Sequence, residues 1–139
     1  MALQRKTDWS IRKAAVPDDD GVVDLIGKYG WRRSEKSRAL YRWTYRERSR
    51  GETLTLIASN RVNEVVATSL FLPWTFSLDG KTIPACQWSD LYVELEYRGQ
   101  AIPDLLLKQG LEETRRSGVQ VCFAFPTNQS APLHKRNRG

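Results

Sequence analysis

Only two cysteines occur among the 139 residues, Cys86 and Cys122, and their separation matches no metal-binding spacing. A disulfide framework is excluded, and both thiols read as buried side chains in a reducing cytoplasm. Histidine is scarcer still, with His134 alone. No metal is implied. No apolar run approaches the roughly 20 residues that a membrane helix needs. The opening MALQRKTDWS lacks the apolar stretch of a secretory signal. Internal repeats and low-complexity linkers are absent as well.

What remains is the composition of a globular domain. The length suffices for one domain with a real core, spanning 1–139, and not for two. Five Trp and a 40% hydrophobic fraction argue against disorder. The net charge of +6 favours anionic partners: nucleic acid, a membrane surface or a phosphorylated cofactor.

Trp9 to Ala15 alternates as a first strand. Pro17-Asp18-Asp19-Asp20 starts a helix, with acidic residues where the helix dipole favours them. Val22, Val23, Leu25, Ile26 and Tyr29 form its apolar face, and Gly30 ends it. Ser37 to Arg48 reads as a second helix, with Leu40, Trp43 and also Tyr41 as inward candidates and Arg38, Arg42 and Arg46 on one solvated stripe. Thr53–Ala58 and Val65–Leu72 are β-rich, joined by a turn at Asn60-Arg61-Val62-Asn63. Trp74–Leu78 and Lys81–Ile83 flank Asp79-Gly80, a strong hairpin signal. A further strand runs from about Cys86 to Val93. Helix 101–117 buries Leu106, Leu107, Gly110, Leu111 and Thr114, and Gly118 caps it. Val119 to Phe125 is almost wholly apolar, as expected for a strand covered on both faces. The order β-α-α, antiparallel strands, then β-α-β predicts an α+β fold. Its mixed, mainly antiparallel twisted sheet is flanked by helices, with strands 86–93 and 119–125 parallel.

The stretch DLYVELEYRGQAIPDLLL, residues 90–107, carries the sharpest chemical signal. A strand ends in the polar turn Arg98-Gly99-Gln100-Ala101 and a helix follows at once. The first helical N–H groups lack intrahelical partners and the dipole favours an anion, so this junction suits phosphate.

VELEYRGQAIPDLLL, then the helix, then VQVCFAFP and Asn128, resembles the GCN5-related N-acetyltransferase (GNAT) superfamily. Arg42-Trp43-x-Tyr45, Leu70-x-Leu72-Pro73, Asp79-Gly80-Lys81, Gln87-x-x-Asp90 and Phe125-Pro126-x-Asn128-x-Ser130 look like one bacterial branch of it. The resemblance covers nearly the whole chain. The family's loop reads Arg/Gln-x-x-Gly-x-Gly/Ala. This chain departs from it at Ala101, which restricts φ and adds a methyl, and at Pro103, which lacks an N–H. Members usually continue with two more strands, so the chain looks C-terminally truncated. The alternative is an intact short form that dimerises to cover the exposed sheet edge.

The resemblance implies acetyl-CoA as acyl donor, a small-molecule or peptide amine as acceptor, and no metal. Arg98, Gly99, Gln100, Ala101 and Ile102 would bind the pyrophosphate. Backbone groups of Leu91, Tyr92 and Val93 would pair with the pantetheine arm, with the Val93 amide near the thioester oxygen. Asn128 and Ser130 suit a helix cap, and in the family the matching Asn also touches the cofactor arm. Asp90 is the candidate base for the amine, with Glu94 second on the same face. His134 stands about where many members carry a Tyr that protonates the departing thiolate. Against these roles stand ordinary strand pairing, an Arg98 salt bridge to Glu94 or Glu96, and a solvated histidine. Three functions follow: a cytoplasmic N-acyltransferase, probed by CoA release; a CoA-binding remnant without turnover; or a basic nucleic-acid module. The last lacks any helix-turn-helix, zinc-finger or RNA-binding signature.

Overall fold

The computed structural model describes residues 7–30, 37–46 and 51–125, with the side chains of 37 and 38 excepted. Strand β1 (Trp9–Lys13) leads through one 3-10 turn (Val16–Asp18) into α1 (Asp19–Tyr29). Helix α2 (Ser37–Tyr41) continues as a wider π-type turn, Arg42–Arg46. Strands β2 (Leu54–Asn60), β3 (Val65–Leu78) and β4 (Lys81–Val93) follow, then α3 (Ile102–Arg116) and β5 (Val121–Ala124). The sheet runs β1-β2-β3-β4-β5 in chain order, antiparallel throughout except for the parallel β4–β5 pair. The α+β reading therefore holds.

The four short β segments expected between 65 and 93 are two long strands. Asp79 (φ 50°) and Gly80 (φ 76°) make the tight turn that Asp-Gly favours, and pairing continues without a break from Leu78–Lys81 to Leu70–Ser89. Pro73 and Pro84 both sit in register within the ladder.

Two cores sandwich the sheet. On one side α3 lays Ile102, Leu106 and Leu107 over Phe71, Cys86 and Trp88. A side chain at Gly110 would place its Cβ 2.0 Å from the Phe71 ring, so this helix position must be bare for α3 to close on β3. On the other side Val22 and Ile26 of α1 and Tyr41 and Tyr45 cover Ile57, Leu70 and Leu72. Leu40 and Trp43, expected inward, are 47% and 71% exposed. Tyr41, the other inward candidate, is buried, and with Tyr45 four residues on it forms the buried stripe; the wider turn after Tyr41 rotates the residues that follow, Trp43 among them. Arg46 is not part of a solvated stripe either. Its guanidinium binds Asp19 at 2.7 Å and Glu52 at 3.0 Å.

Strand β5 is exposed where a strand covered on both faces was expected. Val121 is 39% and Phe125 79% exposed, and Cys122 is exposed rather than buried. Among the described residues β5 is the last strand of the sheet, so one of its edges has no neighbour there. No helix among them is long and apolar enough to cross a membrane.

Candidate functional site

Strand β4 changes character at Ser89. Up to Trp88 it has a partner on each side, because Ala85–Trp88 pair with Val121–Ala124 of β5 while the other edge pairs with β3. From Ser89 to Val93 only the β3 side is paired among the described residues. There Ser89 faces Leu70 and Tyr92 faces Thr68, so Asp90 and Leu91 stand together opposite Ser69. This is a β-bulge, and Asp90 adopts φ 52° to make it. Aspartate tolerates the left-handed region better than most residues. The bulge bends β4 just past Trp88–Ala124, the last β4–β5 rung among the described residues, and leaves that edge of β4 open among them.

The open edge carries specific backbone groups. Glu94 N–H donates to Val66 C=O at 2.8 Å, which turns Glu94 toward β3. Alternation then points the Val93 N–H and C=O the other way, away from β3. The Val93 carbonyl accepts from Arg98 Nε at 2.9 Å, and the Arg98 guanidinium lies 4.7 Å from the centre of the Tyr29 ring. Glu94, one expected partner of Arg98, instead accepts from Lys28 Nζ at 2.8 Å and Tyr29 Oη at 2.6 Å. Burial works against its charge, but these donors prevail and hold its carboxyl below the usual range.

Beyond this edge the chain makes a 3-10 turn, Leu95–Tyr97, then Gly99 at φ 78°, then α3. Gly99 takes the left-handed conformation that lets the backbone turn into the helix start. Ala101 at the N-cap supplies no side-chain hydrogen bond, and Pro103 sits in the first turn, where a missing N–H costs least. Gln100 is committed to structure. Its Oε1 accepts from Trp9 Nε1 at 2.7 Å and its Nε2 donates to Tyr97 C=O at 3.3 Å. Ile102 is fully buried, so its side chain anchors the helix start.

On the α1/α2 side of the bulge, hydroxyls gather on Asp90. Tyr45 Oη and Ser89 Oγ donate to one carboxylate oxygen, the latter at 3.5 Å, and Tyr92 Oη donates to the other at 3.3 Å. Burial and the Asp90 charge raise the pKa of Tyr45 and push that of Tyr92 up to about 12, so both stay protonated donors. The Tyr side chains were not singled out from sequence. Tyr45 was visible only within Arg42-Trp43-x-Tyr45, and nothing in the spacing linked it to Asp90.

The structure thus brings Asp90, Leu91, Tyr92, Val93, Arg98, Gly99, Gln100, Ala101 and Ile102 to one end of the sheet. Asn128, Ser130 and His134 lie outside the described residues. Trp88 is core, its indole N–H donating to Ser69 Oγ. Trp74 lies against Phe123, with ring centres 6.3 Å apart. Trp43 faces solvent. No group of three or more metal-type side chains occurs among the described residues.

A meander sheet bent by a bulge, a parallel strand added after a helical crossover and a glycine turn into that long helix define the architecture of the acyl-CoA N-acyltransferases. The chain belongs to the GNAT acetyltransferases: the family model of the acetyltransferase (GNAT) domain matches residues 10–136. Solved structures share the fold. A predicted acetyltransferase from Clostridium acetobutylicum, solved with acetyl-CoA, superposes with a TM-score of 0.78 at 18% identity, over 92% of this chain and 87% of that one. Glucosamine-6-phosphate N-acetyltransferase from Arabidopsis thaliana gives 0.76 at 13% identity, over 96% and 95%. An acetyltransferase from Trypanosoma brucei gives 0.74 at 17%, over 93% and 90%. Among curated proteins none matches by sequence.

Proposed function

We propose that this chain transfers acetyl from acetyl-CoA to the amine of a small molecule or peptide, by direct attack and without a covalent enzyme intermediate. The observation that carries the reading is the open edge of β4 between Ser89 and Val93, beside the Gly99 turn. An extended ligand with amide groups can add itself there as a short strand, in the manner of β-augmentation. The structural neighbour solved with acetyl-CoA supports the same donor.

In this reading the pantetheine arm pairs with β4 from Leu91 to Val93. The helix start and the Arg98–Ile102 turn receive the pyrophosphate, with Arg98 swinging from the Val93 carbonyl to a phosphate oxygen. The neutral amine attacks the thioester carbonyl, and the Val93 N–H stabilises the developing oxyanion. Asp90 takes the amine proton, directly or through a water, while Tyr45 and Tyr92 hold the carboxylate in place. The C–S bond then breaks and the thiolate leaves protonated. Asn128 and Ser130 are assigned to the cofactor arm, and His134 to protonation of the thiolate. The setting is cytoplasmic.

Calorimetry with acetyl-CoA tests the donor. Micromolar-range binding that weakens in Arg98→Ala is expected. A panel of amines with a thiol reagent then reads CoA release. Absence of acetyl-CoA binding by the folded chain would overturn the proposal, and binding without release for any amine would reduce it to a CoA-binding protein.

A further inference from the structure

The parallel register of β4 and β5 sets Cys122 directly beside Cys86. Neighbouring strands lie about 4.8 Å apart, within the roughly 4.4–6.8 Å that a disulfide spans between Cα atoms. Aligned residues of parallel strands project to the same face, so the two thiols meet side by side. Both are free. Cys86 is buried under α3 and Cys122 is exposed, so one sulfur can meet a solute while the other waits behind it. The pair lies two residues before Trp88–Ala124, the last β4–β5 rung among the described residues.

We infer that Cys86 and Cys122 form a reversible, peroxide-driven disulfide that clamps β4 to β5 just ahead of the Asp90 bulge. Hydrogen peroxide is the oxidant. The Cys122 sulfur attacks one peroxide oxygen, the O–O bond breaks, and hydroxide leaves with the thiol proton as water. Cys122 is then a sulfenic acid. The Cys86 sulfur attacks it, the S–S bond forms and the S–O bond breaks, and the second hydroxide leaves with the Cys86 proton as water. Two electrons pass from the thiols to the peroxide, and a dithiol reductant reverses the step. Hydrogen bonding with Cys122, opposed by burial and aided by the Thr114 hydroxyl, holds the Cys86 pKa down. The same bond to Cys86, together with burial, raises that of Cys122, which makes the first step slow.

The clamp rests on the fold alone; its effect on acetyl-CoA rests on the function proposed above. The full chain is treated with hydrogen peroxide and the remaining thiols are alkylated before mass analysis. The expected product has lost two hydrogens and resists alkylation at both positions. It yields one linked peptide pair, and dithiothreitol reverses it. Its melting temperature rises by several degrees, because the bridge closes a loop that includes α3. Cys122→Ser, a change at an exposed position, and Cys86→Ala each lose the link. Sulfinic acid at Cys122 beside an intact Cys86 thiol, or Cys122 bridges between chains, would overturn the inference. Acetyl-CoA affinity is measured in both redox states. A reduced chain that binds no acetyl-CoA fails the functional reading and leaves the mass result to decide the clamp.

Discussion

The two halves of β4 are built from the same kind of sequence and do different work. In Ala85–Trp88 both edges are paired and the side chains facing α3, Cys86 and Trp88, are buried. In Ser89–Val93 one edge is open among the described residues, the strand bulges, and Asp90 carries polar contacts to Tyr45, Ser89 and Tyr92. Both halves contain apolar residues at ordinary β spacing. What separates them is the bulge and the described extent of the β5 ladder.

Substitutions should separate the halves by what they disturb. Trp88→Ala, in the closed half, removes a 5%-exposed ring and its bond to Ser69. It is expected to cost about 3–5 kcal/mol, read as a lowered urea midpoint. Asp90→Asn, in the open half, keeps a residue tolerant of φ 52°. Stability should change by less than about 1 kcal/mol, while kcat for acetyl transfer falls about 100-fold, the lower range for a lost base. Equal losses of stability in the two variants would erase the distinction. Arg98→Ala should weaken acetyl-CoA binding about tenfold, as for a lost charged hydrogen bond, with the melt nearly unchanged.

The smallest effect is alkaline. Tyr45 and Tyr92 both have raised values in the fold, Tyr92 near 12. The folded state therefore holds their protons more tightly than the unfolded chain. Stability stays level up to the unfolded value near 10 and falls as pH rises from there toward 12. Urea midpoints between pH 9 and 11 should drop less steeply in Tyr92→Phe than in the parent chain.

Much of this was readable in the residues. The order of elements, the Asp79-Gly80 turn, the bare Gly110 face of α3 and the strand–turn–helix junction at Arg98–Ile102 follow from local rules that hold wherever the segment sits. What failed to show depended on neighbours. Periodicity could not tell that the turn after Tyr41 widens, so Leu40 and Trp43 were placed inward. An apolar run such as Val121–Phe125 looks the same whether it is covered or at an edge. The bulge at Asp90 has no composition of its own, and the hydroxyls around it come from positions as distant as Tyr45. The role of Arg98 was read as a choice between phosphate and carboxylate, but its described partners are a backbone carbonyl and an aromatic ring.

The strand order carries a consequence for how the molecule assembles. Strands β2, β3 and β4 are joined by short turns, so their contacts are local and closing them costs little chain entropy. The β4–β5 rungs require the whole of α3 to be traversed first, and only four of them form. Amide hydrogens of β3 should then be among the slowest in the protein to exchange with solvent deuterium, and those of β5 among the faster strand amides. The β4–β5 ladder would be the last part of the sheet to close during folding and the first to come undone.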